Sequence, residues 1–370
     1  DDWYLLSIFD GAQSGGVGRT IELATTQTFA ARPGHGLYAA LLFNLFGFDP
    51  TGYHLFNTGV IAATVVALHA LLLRTGFDRS NALAVAIVFA LLPQLSTVRV
   101  WYSSFQVPLA MLLGLASLHC ALCFIRSSRR LWMLPAALAA WASIACYEIF
   151  APLILLASVA PVALTLEGWK PRLNPQWRRT APLLLLAAAV IAAMALKAAV
   201  SARTAGAGDP MRYLRIAYGI VRFDYNWRID NGLNLYAALS VNFWHSLVGW
   251  FDAARALLTG RLGLAVTAAA LGIGALSFWR LSVAGDGRDR PAKHAMLLLG
   301  IIVFATGYAV FLLLPAIVFS PTGLGNRVSV ASAIGIAMIL VAIIRYGAGF
   351  SSLRFRRQVA ALALCLLATV

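Results

Sequence analysis

The feature that most constrains this chain is a series of apolar runs, several of which reach about 20 residues, the length of helix that crosses a ~30 Å hydrocarbon layer. Strand-like alternation of apolar and polar residues is absent, which argues against a barrel. The predicted spans are Tyr53–Leu73, Ala82–Leu95, Phe105–Phe124, Leu131–Ala145, Ile149–Leu166, Ala181–Ala199, Leu262–Phe278, Ala295–Phe319, Val328–Ile344, and Val359 onward. The sequence therefore predicts an all-α, polytopic transmembrane helical bundle.

Composition supports a lipid environment. Hydrophobic residues make up 61% of the 370 residues, charged residues make up 12%, and the mean hydropathy is +0.79. No soluble domain of this length needs so apolar a sequence to fill its core, so the expected partner is the bilayer. The formal net charge of +15 could indicate nucleic acid, but the basic residues gather in short loops between apolar runs. Membrane topology explains that pattern better, and no nucleic-acid partner is predicted.

The basic loops also predict which side of the membrane each loop faces. Arg126–Arg130, Lys170–Arg179 and Arg345–Arg357 are strongly basic, and Arg280–Lys293 is mixed but carries four cations. The positive-inside rule places all four in the cytoplasm. Consecutive spans then alternate only if Tyr236–Leu258 is a surface helix, which its interfacial Trp, His, Asp and Arg residues favour.

The same alternation places the remaining polar segments on the outer side. They are residues 1–52, Val98–Ser104, Tyr147–Glu148, 200–260 and Ser320–Arg327. The predicted organisation is a first outer loop with a juxtamembrane helix (1–52), an amino-terminal transmembrane bundle (53–199), a long outer loop (200–260) and carboxy-terminal transmembrane helices (261–370). Because residue 1 is Asp and the last residues lie in an apolar run, we expect a fragment of a longer protein.

Motifs for other functions are missing from the sequence. It has no Gly-rich phosphate loop, H-E-x-x-H or G-x-S-x-G motif. Cys120 and Cys123 form a lone C-x-x-C inside a predicted span, where small core residues are the better interpretation. We predict no metal site and no required cofactor, and the sequence leaves a divalent metal requirement open.

Three carboxylates are candidates for chemistry. Asp1 and Asp2 begin the first outer segment, where an acidic pair is either solvent-exposed and without a catalytic role or the source of a catalytic base. Glu148 lies between two apolar runs with almost no loop around it. A charge there is costly, so it is either functional or part of a structural ion pair.

Several cations and polar residues accompany these carboxylates on the predicted outer side. Arg32 begins a short amphipathic helix, and Arg99 and Tyr102 lie in a turn that could equally be an interfacial belt. His54 and Asn57 share a helix face, either as a packing pair or as ligand contacts. Arg327 is either a snorkelling side chain or a phosphate clamp. Together, carboxylates that accept a proton and arginines that hold a phosphate are what transfer from a phosphate-linked lipid donor requires.

The order of motifs resembles the polytopic GT-C glycosyltransferases, and most closely the membrane part of the protein O-mannosyltransferase-like and TMTC-like group. The residues that carry the resemblance span roughly the first 160 positions and are Asp1-Asp2-Trp3, Arg32-Pro33, Phe46-Gly47-Phe48-Asp49-Pro50-Thr51-Gly52-Tyr53-His54-Leu55-Phe56-Asn57, Phe89-Ala90-Leu91-Leu92-Pro93, Trp101 and Tyr147-Glu148. Gly34 stands where the family has an apolar residue, and Tyr147 where relatives often carry Lys.

The resemblance implies inverting transfer of a sugar from a polyprenyl-phosphate donor to a glycan, lipid or protein acceptor, with the active face outside a bacterial plasma (inner) membrane. It makes Asp1 or Asp2 the general base. We expect Arg327, with Arg32 or Arg99, to bind the donor phosphate. Glu148, His54, Asn57, Tyr102 and Tyr147 are expected to support the site, and Tyr213–Trp227 to cover the sugar or headgroup. The alternatives are a transporter or flippase for lipid-linked glycans and a non-catalytic membrane scaffold.

Overall fold

A computed structural model describes residues 2–167, 170–173, 177–204, 290–312 and 330–347. Outside these residues lie Asp1, Arg327, the predicted surface helix Tyr236–Leu258, the aromatic segment Tyr213–Trp227 and the predicted spans Leu262–Phe278 and Val359 onward. The described helices are α1 (Asp2–Ala12), α2 (Gly16–Leu23), α3 (Pro33–Phe46), α4 (Pro50–Arg74), α5 (Arg79–Leu91), α6 (Ser96–Val100), α7 (Gln106–Ser127), α8 (Met133–Cys146), α9 (Ala151–Ala163), α10 (Trp177–Thr180), α11 (Leu183–Thr204), α12 (Arg290–Leu312) and α13 (Val330–Gly347).

The helical prediction is confirmed for the described residues, with one small exception. Two four-residue strands, β1 (Leu164–Glu167) and β2 (Lys170–Leu173), pair antiparallel after α9. Among the described residues, three helical segments are long and apolar enough to cross a membrane: Pro50–Arg74, Tyr102–Ser127 and Leu183–Ser201. Several shorter apolar helices pack beside them.

Two predicted spans were longer than the helices that the structure shows. Residues Ala82–Leu95 were predicted as one span, but α5 ends at Leu91 because Pro93 disfavours helical geometry at the residue before it. Leu92 is accordingly extended, and Pro93–Leu95 forms a 3₁₀ turn. The predicted span Ile149–Leu166 begins with a 3₁₀ turn at Glu148–Phe150 and gives way to β1 after Ala163.

The bundle core is built from small residues that let helices approach closely. On α7 and α8, the Ser117 hydroxyl donates to the Ala136 carbonyl at 2.8 Å, and the Ser143 hydroxyl donates to the Ala110 carbonyl at 2.7 Å. A Cβ at Gly114 would lie 2.5 Å from the Phe150 ring, so this ring packs directly on the α7 backbone. Such small-residue contacts are typical of helix packing in lipid.

A second, smaller core covers one end of the bundle. Buried side chains of α1 and α3, among them Phe9 and Phe43, pack together with Tyr53, Tyr102 and Phe105. We call this the capped end of the bundle; it comprises residues 2–49, the turn 93–104 and the Tyr147–Glu148 junction. The amino-terminal segment therefore folds onto the bundle and brings its polar residues to the turns between helices.

Basic turns meet at the opposite end. The Arg126 guanidinium donates to the Arg74 carbonyl, joining α7 to α4, and the Arg179 Nε donates to the Ser128 Oγ at 2.6 Å. Arg345, near the end of α13, donates to the Ser80 hydroxyl at the start of α5. We call this the arginine end. Of the segments predicted to lie outside, the described residues 2–49, 98–104 and 147–148 thus lie at the capped end, and the described residues of the basic segments Arg126–Arg130, Lys170–Arg179 and Arg345–Arg357 lie at the arginine end.

Candidate functional site

The site begins at the junction between α8 and α9. Tyr147 is extended, with φ −162° and ψ 132°, so it ends α8, and Glu148 starts the 3₁₀ turn that leads into α9. The junction therefore has no exposed loop, and the Glu148 side chain is only 13% exposed. A carboxylate held this way must find cationic partners or lose its charge.

One partner arrives from α3, whose position depends on Gly34. A Cβ at residue 34 would lie 2.9 Å from both the carbonyl carbon of Ala145 and the nitrogen of Cys146. The absent side chain lets the first turn of α3 rest on the end of α8. Arg32, the residue that caps α3, is thereby set beside the Tyr147–Glu148 junction. Glycine at position 34 thus has a steric reason.

Arg32 and Glu148 form a two-pronged ion pair. The Arg32 Nη2 lies 2.9 Å from the Glu148 Oε1, and its Nε lies 3.3 Å from the Oε2. The guanidinium carbon also sits 4.4 Å from the centre of the Tyr147 ring, a cation–π contact. Two parallel hydrogen bonds and a ring face fix the plane of the guanidinium.

Lys197 of α11 is the second cationic partner. Its Nζ donates to the Glu148 Oε2, the same oxygen that accepts from Arg32, and the Lys197 side chain is 14% exposed. Two cations therefore share one carboxylate, and the cluster of Arg32, Glu148 and Lys197 carries one positive charge in excess. Sequence reasoning left Lys197 out of the candidate site. The sequence did contain a signal for Lys197, because burying a lysine within an apolar span is costly. Such a lysine indicates either a functional position or an ion pair with a carboxylate.

The cluster fixes the protonation of its carboxylate. Burial alone would raise the pKa of Glu148, but the charges and hydrogen bonds of Arg32 and Lys197 outweigh burial and lower it to about 2. For Arg32, burial acts to lower the pKa, and the neighbouring Glu148 more than offsets it, so the pKa is raised. Glu148 is thus ionised at neutral pH, with its oxygens occupied by cations.

Asp2 belongs to a separate group at the capped end. Its two carboxylate oxygens accept hydrogen bonds from the backbone N–H groups of Tyr102 and Ser103, at 3.0 and 2.8 Å. These bonds cap the short 3₁₀ turn that precedes α7 and tie α1 to it. The Tyr102 hydroxyl in turn donates to the Ala39 carbonyl of α3 at 2.7 Å. Asp2 is therefore joined through Tyr102 to the helix that carries Arg32 at its start.

The other predicted site residues hold the turn between α5 and α7. Asn57 is fully buried, and its Nδ2 donates to the Val98 carbonyl at 2.8 Å. The Arg99 Nη2 donates to the Ala90 carbonyl at the end of α5, and burial lowers the pKa of Arg99. The His54 ring lies 5.7 Å from the Phe105 ring. These contacts position the turn, whereas Arg32, Tyr147 and Glu148 meet directly.

Within the described ranges, no three His, Cys, Asp or Glu side chains lie close enough together to hold a metal ion. The chemistry that the described site offers is electrostatic: a positively charged cluster within the helices and a carboxylate that caps a neighbouring turn.

Comparisons with protein-family models, with curated protein sequences and with solved structures find no match to this chain in any of the three. The resemblance to GT-C glycosyltransferases therefore rests on its own motifs, and any function is inferred from the arrangement of these side chains.

Proposed function

We propose that this chain is a polytopic, GT-C-type membrane glycosyltransferase that moves a sugar from a polyprenyl-phosphate donor to a glycan, lipid or protein acceptor at the outer face of the membrane. The observation that carries the proposal is the cluster of Arg32, Glu148 and Lys197. Its excess positive charge lies within the protein, where little water screens it, and suits an anionic phosphate.

The reaction needs a base more than it needs an acid. The acceptor oxygen bonds to the anomeric carbon of the sugar while the bond from that carbon to the phosphate oxygen breaks. The bonding electrons leave with the phosphate, which needs no proton. The acceptor hydroxyl gives its proton to a carboxylate, and attack opposite the leaving group inverts the anomeric centre. A positioned base contributes ~10²- to 10⁴-fold to such a step.

The roles of the carboxylates follow from their partners. Glu148 is already paired with two cations and has a low pKa, so it serves to orient Arg32 and Lys197 and is a poor base. Asp2 or Asp1 is the proposed base, since each Asp2 oxygen accepts one described backbone hydrogen bond and keeps a further lone pair. Arg32 and Lys197 are the proposed phosphate ligands, together with Arg327 from the sequence prediction. Arg99 is assigned to support the turn.

The test is sugar transfer from a polyprenyl-phosphate-linked donor in membranes that contain the full-length protein. Lys197→Met is expected to reduce transfer about 10²- to 10³-fold, as expected for loss of one preorganised charge at the leaving group. Alanine at both Asp1 and Asp2 is expected to reduce it ~10²-fold or more. The matched control is Glu22→Gln, which removes a carboxylate of the same segment from an exposed pair with Arg19.

Two outcomes would overturn the proposal. Unchanged sugar transfer in the variant with alanine at both Asp1 and Asp2 would show that neither residue is the general base. Movement of the intact donor across the bilayer without any transfer would identify a flippase instead. Asp2→Asn removes the proton acceptor but keeps only one of the two backbone hydrogen bonds, because the amide oxygen still accepts whereas the amide nitrogen cannot, so its unfolding midpoint is measured beside its transfer rate.

A further inference from the structure

Arg74, Arg126 and Arg179 at the arginine end are held by neutral groups. The Arg74 Nη1 donates to the Cys123 Sγ at 3.0 Å, and the Arg126 Nη2 donates to the Arg74 carbonyl. The Arg179 Nε donates to the Ser128 Oγ at 2.6 Å. Each contact restrains a guanidinium group without neutralising its charge. Each uses one of the five N–H donors of the guanidinium, and the other donors have no partner among the described residues.

No described carboxylate pairs with these arginines. In the part of the chain that the structure describes, the ion pairs that involve an arginine are Arg19 with Glu22 and Arg32 with Glu148, and neither is at the arginine end. Asp78 lies four residues after Arg74, but its carboxylate accepts hydrogen bonds from the backbone and side chain of Asn81. The charges of Arg74, Arg126 and Arg179 are therefore not compensated by any carboxylate side chain that the structure describes.

Exposed aromatic and apolar side chains adjoin the charges. Trp132 and Trp177 are 39% and 51% exposed, and the Arg178 guanidinium lies 5.7 Å from the centre of the Trp177 ring. Leu131, beside the arginine turn, is 80% exposed, and Leu134 and Leu138 continue the exposed apolar surface along α8. Tryptophan at the boundary between arginines and exposed leucines is typical of the headgroup layer of a bilayer.

We propose that the arginine end is a binding site for anionic phospholipids of the surrounding bilayer, in which Arg126, Arg129 and Arg179 contact headgroup phosphates. The positive charge favours an anionic ligand, and the adjoining exposed leucines favour one that also has acyl chains. A bilayer phospholipid has both, since its acyl chains can cover α8 while its phosphate accepts hydrogen bonds from the guanidinium groups. A soluble nucleic acid would leave those leucines uncovered. This site is at the opposite end of the bundle from the proposed catalytic cluster and does not depend on the proposed function.

The experiment measures lipid retained by the purified full chain. Protein is reconstituted in nanodiscs that contain equal amounts of phosphatidylglycerol and phosphatidylcholine, and the retained ratio after extraction into detergent is read by native mass spectrometry. The protein with all three arginines is expected to retain phosphatidylglycerol preferentially. The triple variant Arg126→Gln, Arg129→Gln and Arg179→Gln is expected to lose roughly fivefold in apparent binding constant per charge removed.

Matched variants separate charge from folding. Triple substitution to Lys keeps the charges and is expected to keep most of the preference. Arg129→Gln alone removes a side chain with no described hydrogen bond, so it tests the charge without disturbing the turn. The control is Arg19→Gln at the capped end, which is expected to change nothing. Equal lipid ratios in the unaltered protein and the triple Gln variant, or co-purified nucleic acid in place of lipid, would overturn the proposal.

Discussion

The two ends of the bundle use the same residue type in opposite ways. At the capped end, Arg32 is bound to Glu148 by two hydrogen bonds and stacked on Tyr147, and Lys197 shares the same carboxylate. At the arginine end, Arg126 and Arg179 bind a carbonyl and a hydroxyl and keep their charge uncompensated by described carboxylates. The first arrangement fixes charges inside the protein, and the second presents them at its surface.

Burial accounts for the difference. A largely buried guanidinium is stabilised by a carboxylate, since removing it from water costs several kcal/mol when it is unpaired. Arg99, which donates to the Ala90 carbonyl instead, has its pKa lowered by burial, whereas Glu148 raises the pKa of Arg32. An exposed guanidinium retains its hydration and gains little from a salt bridge, about 0–1 kcal/mol. Removing a charge at the capped end should therefore lower the free energy of unfolding strongly, and removing a charge at the arginine end should change it little.

Loss of Glu148 is the strongest test of this comparison. Glu148→Gln leaves Arg32 and Lys197 buried together without a counter-charge, so we expect a loss of roughly 3–5 kcal/mol in the free energy of unfolding. The measurement is unfolding of the purified protein in detergent, followed by intrinsic tryptophan fluorescence. The paired control is Glu22→Gln, whose exposed partner Arg19 predicts a change below about 1 kcal/mol.

A second substitution should partly rescue the first. In Glu148→Gln combined with Lys197→Met, one of the two uncompensated cations is gone, so the double variant should lose less than the sum of the two single losses. Additive losses would show that the cluster of Arg32, Glu148 and Lys197 is not energetically coupled.

Acid should weaken the capped end over a defined range of pH. The pKa of Glu148 is lowered from an ordinary value of 4.5 to about 2, so its contribution to stability is fully present above pH 4.5 and is lost as the pH falls towards 2. The loss is on the order of 3 kcal/mol, from about 1.4 kcal/mol per pKa unit. Unfolding measured from pH 7 to pH 2 should show that the gap between the unaltered protein and Glu148→Gln narrows only below about pH 4.5.

Sequence patterns predicted the fold well where one rule dominated. The lengths of the apolar runs predicted α4, α7 and α11. The short helix predicted to begin at Arg32 is α3, which starts at Pro33 and ends before Gly47, a glycine with positive φ. The positive-inside rule put the described basic segments in one group and the described polar segments in another, and the two groups lie at different ends of the described bundle; the side of the membrane that each end faces stays a prediction. Errors occurred at Pro93, where the backbone preference of the residue before proline ended α5 inside an apolar run, and after Ala163, where β1 begins.

The site was less predictable because its partners are distant in sequence. Glu148 could be recognised from the cost of its position, but its pairing with Arg32 spans 116 residues and depends on contact between α3 and α8. Lys197 looked incidental without that contact. Asp2 could be placed in the first outer segment, yet its role in capping the turn before α7 required the tertiary fold.

Gly34 provides a steric way to disturb the capped end without changing any charge. Gly34→Ala adds a Cβ within 2.9 Å of the α8 backbone, so α3 must shift away and Arg32 must move relative to Glu148. Overpacking of this kind costs about 1–3 kcal/mol. The control is Gly11→Ala in α1, where a Cβ has open space and helix propensity predicts a gain of about 0.5–1 kcal/mol. Equal unfolding midpoints for the two variants would contradict the close contact between α3 and α8.

The smallest expected effect is at the arginine end. Arg129 is exposed, and its side chain makes no hydrogen bond or ion pair with the described residues. Arg129→Gln should therefore change the free energy of unfolding in detergent by no more than about 0.5 kcal/mol, whereas Arg32→Gln should cost several times more because it strips Glu148 of a partner. In nanodiscs rich in phosphatidylglycerol, Arg129→Gln should become measurably destabilising, since lipid that binds the folded state stabilises it by an amount that rises with the logarithm of its affinity. An equal effect of Arg129→Gln in detergent and in anionic nanodiscs would mean that the arginine end gains nothing from lipid charge, and the contrast between the two ends would then reduce to burial alone.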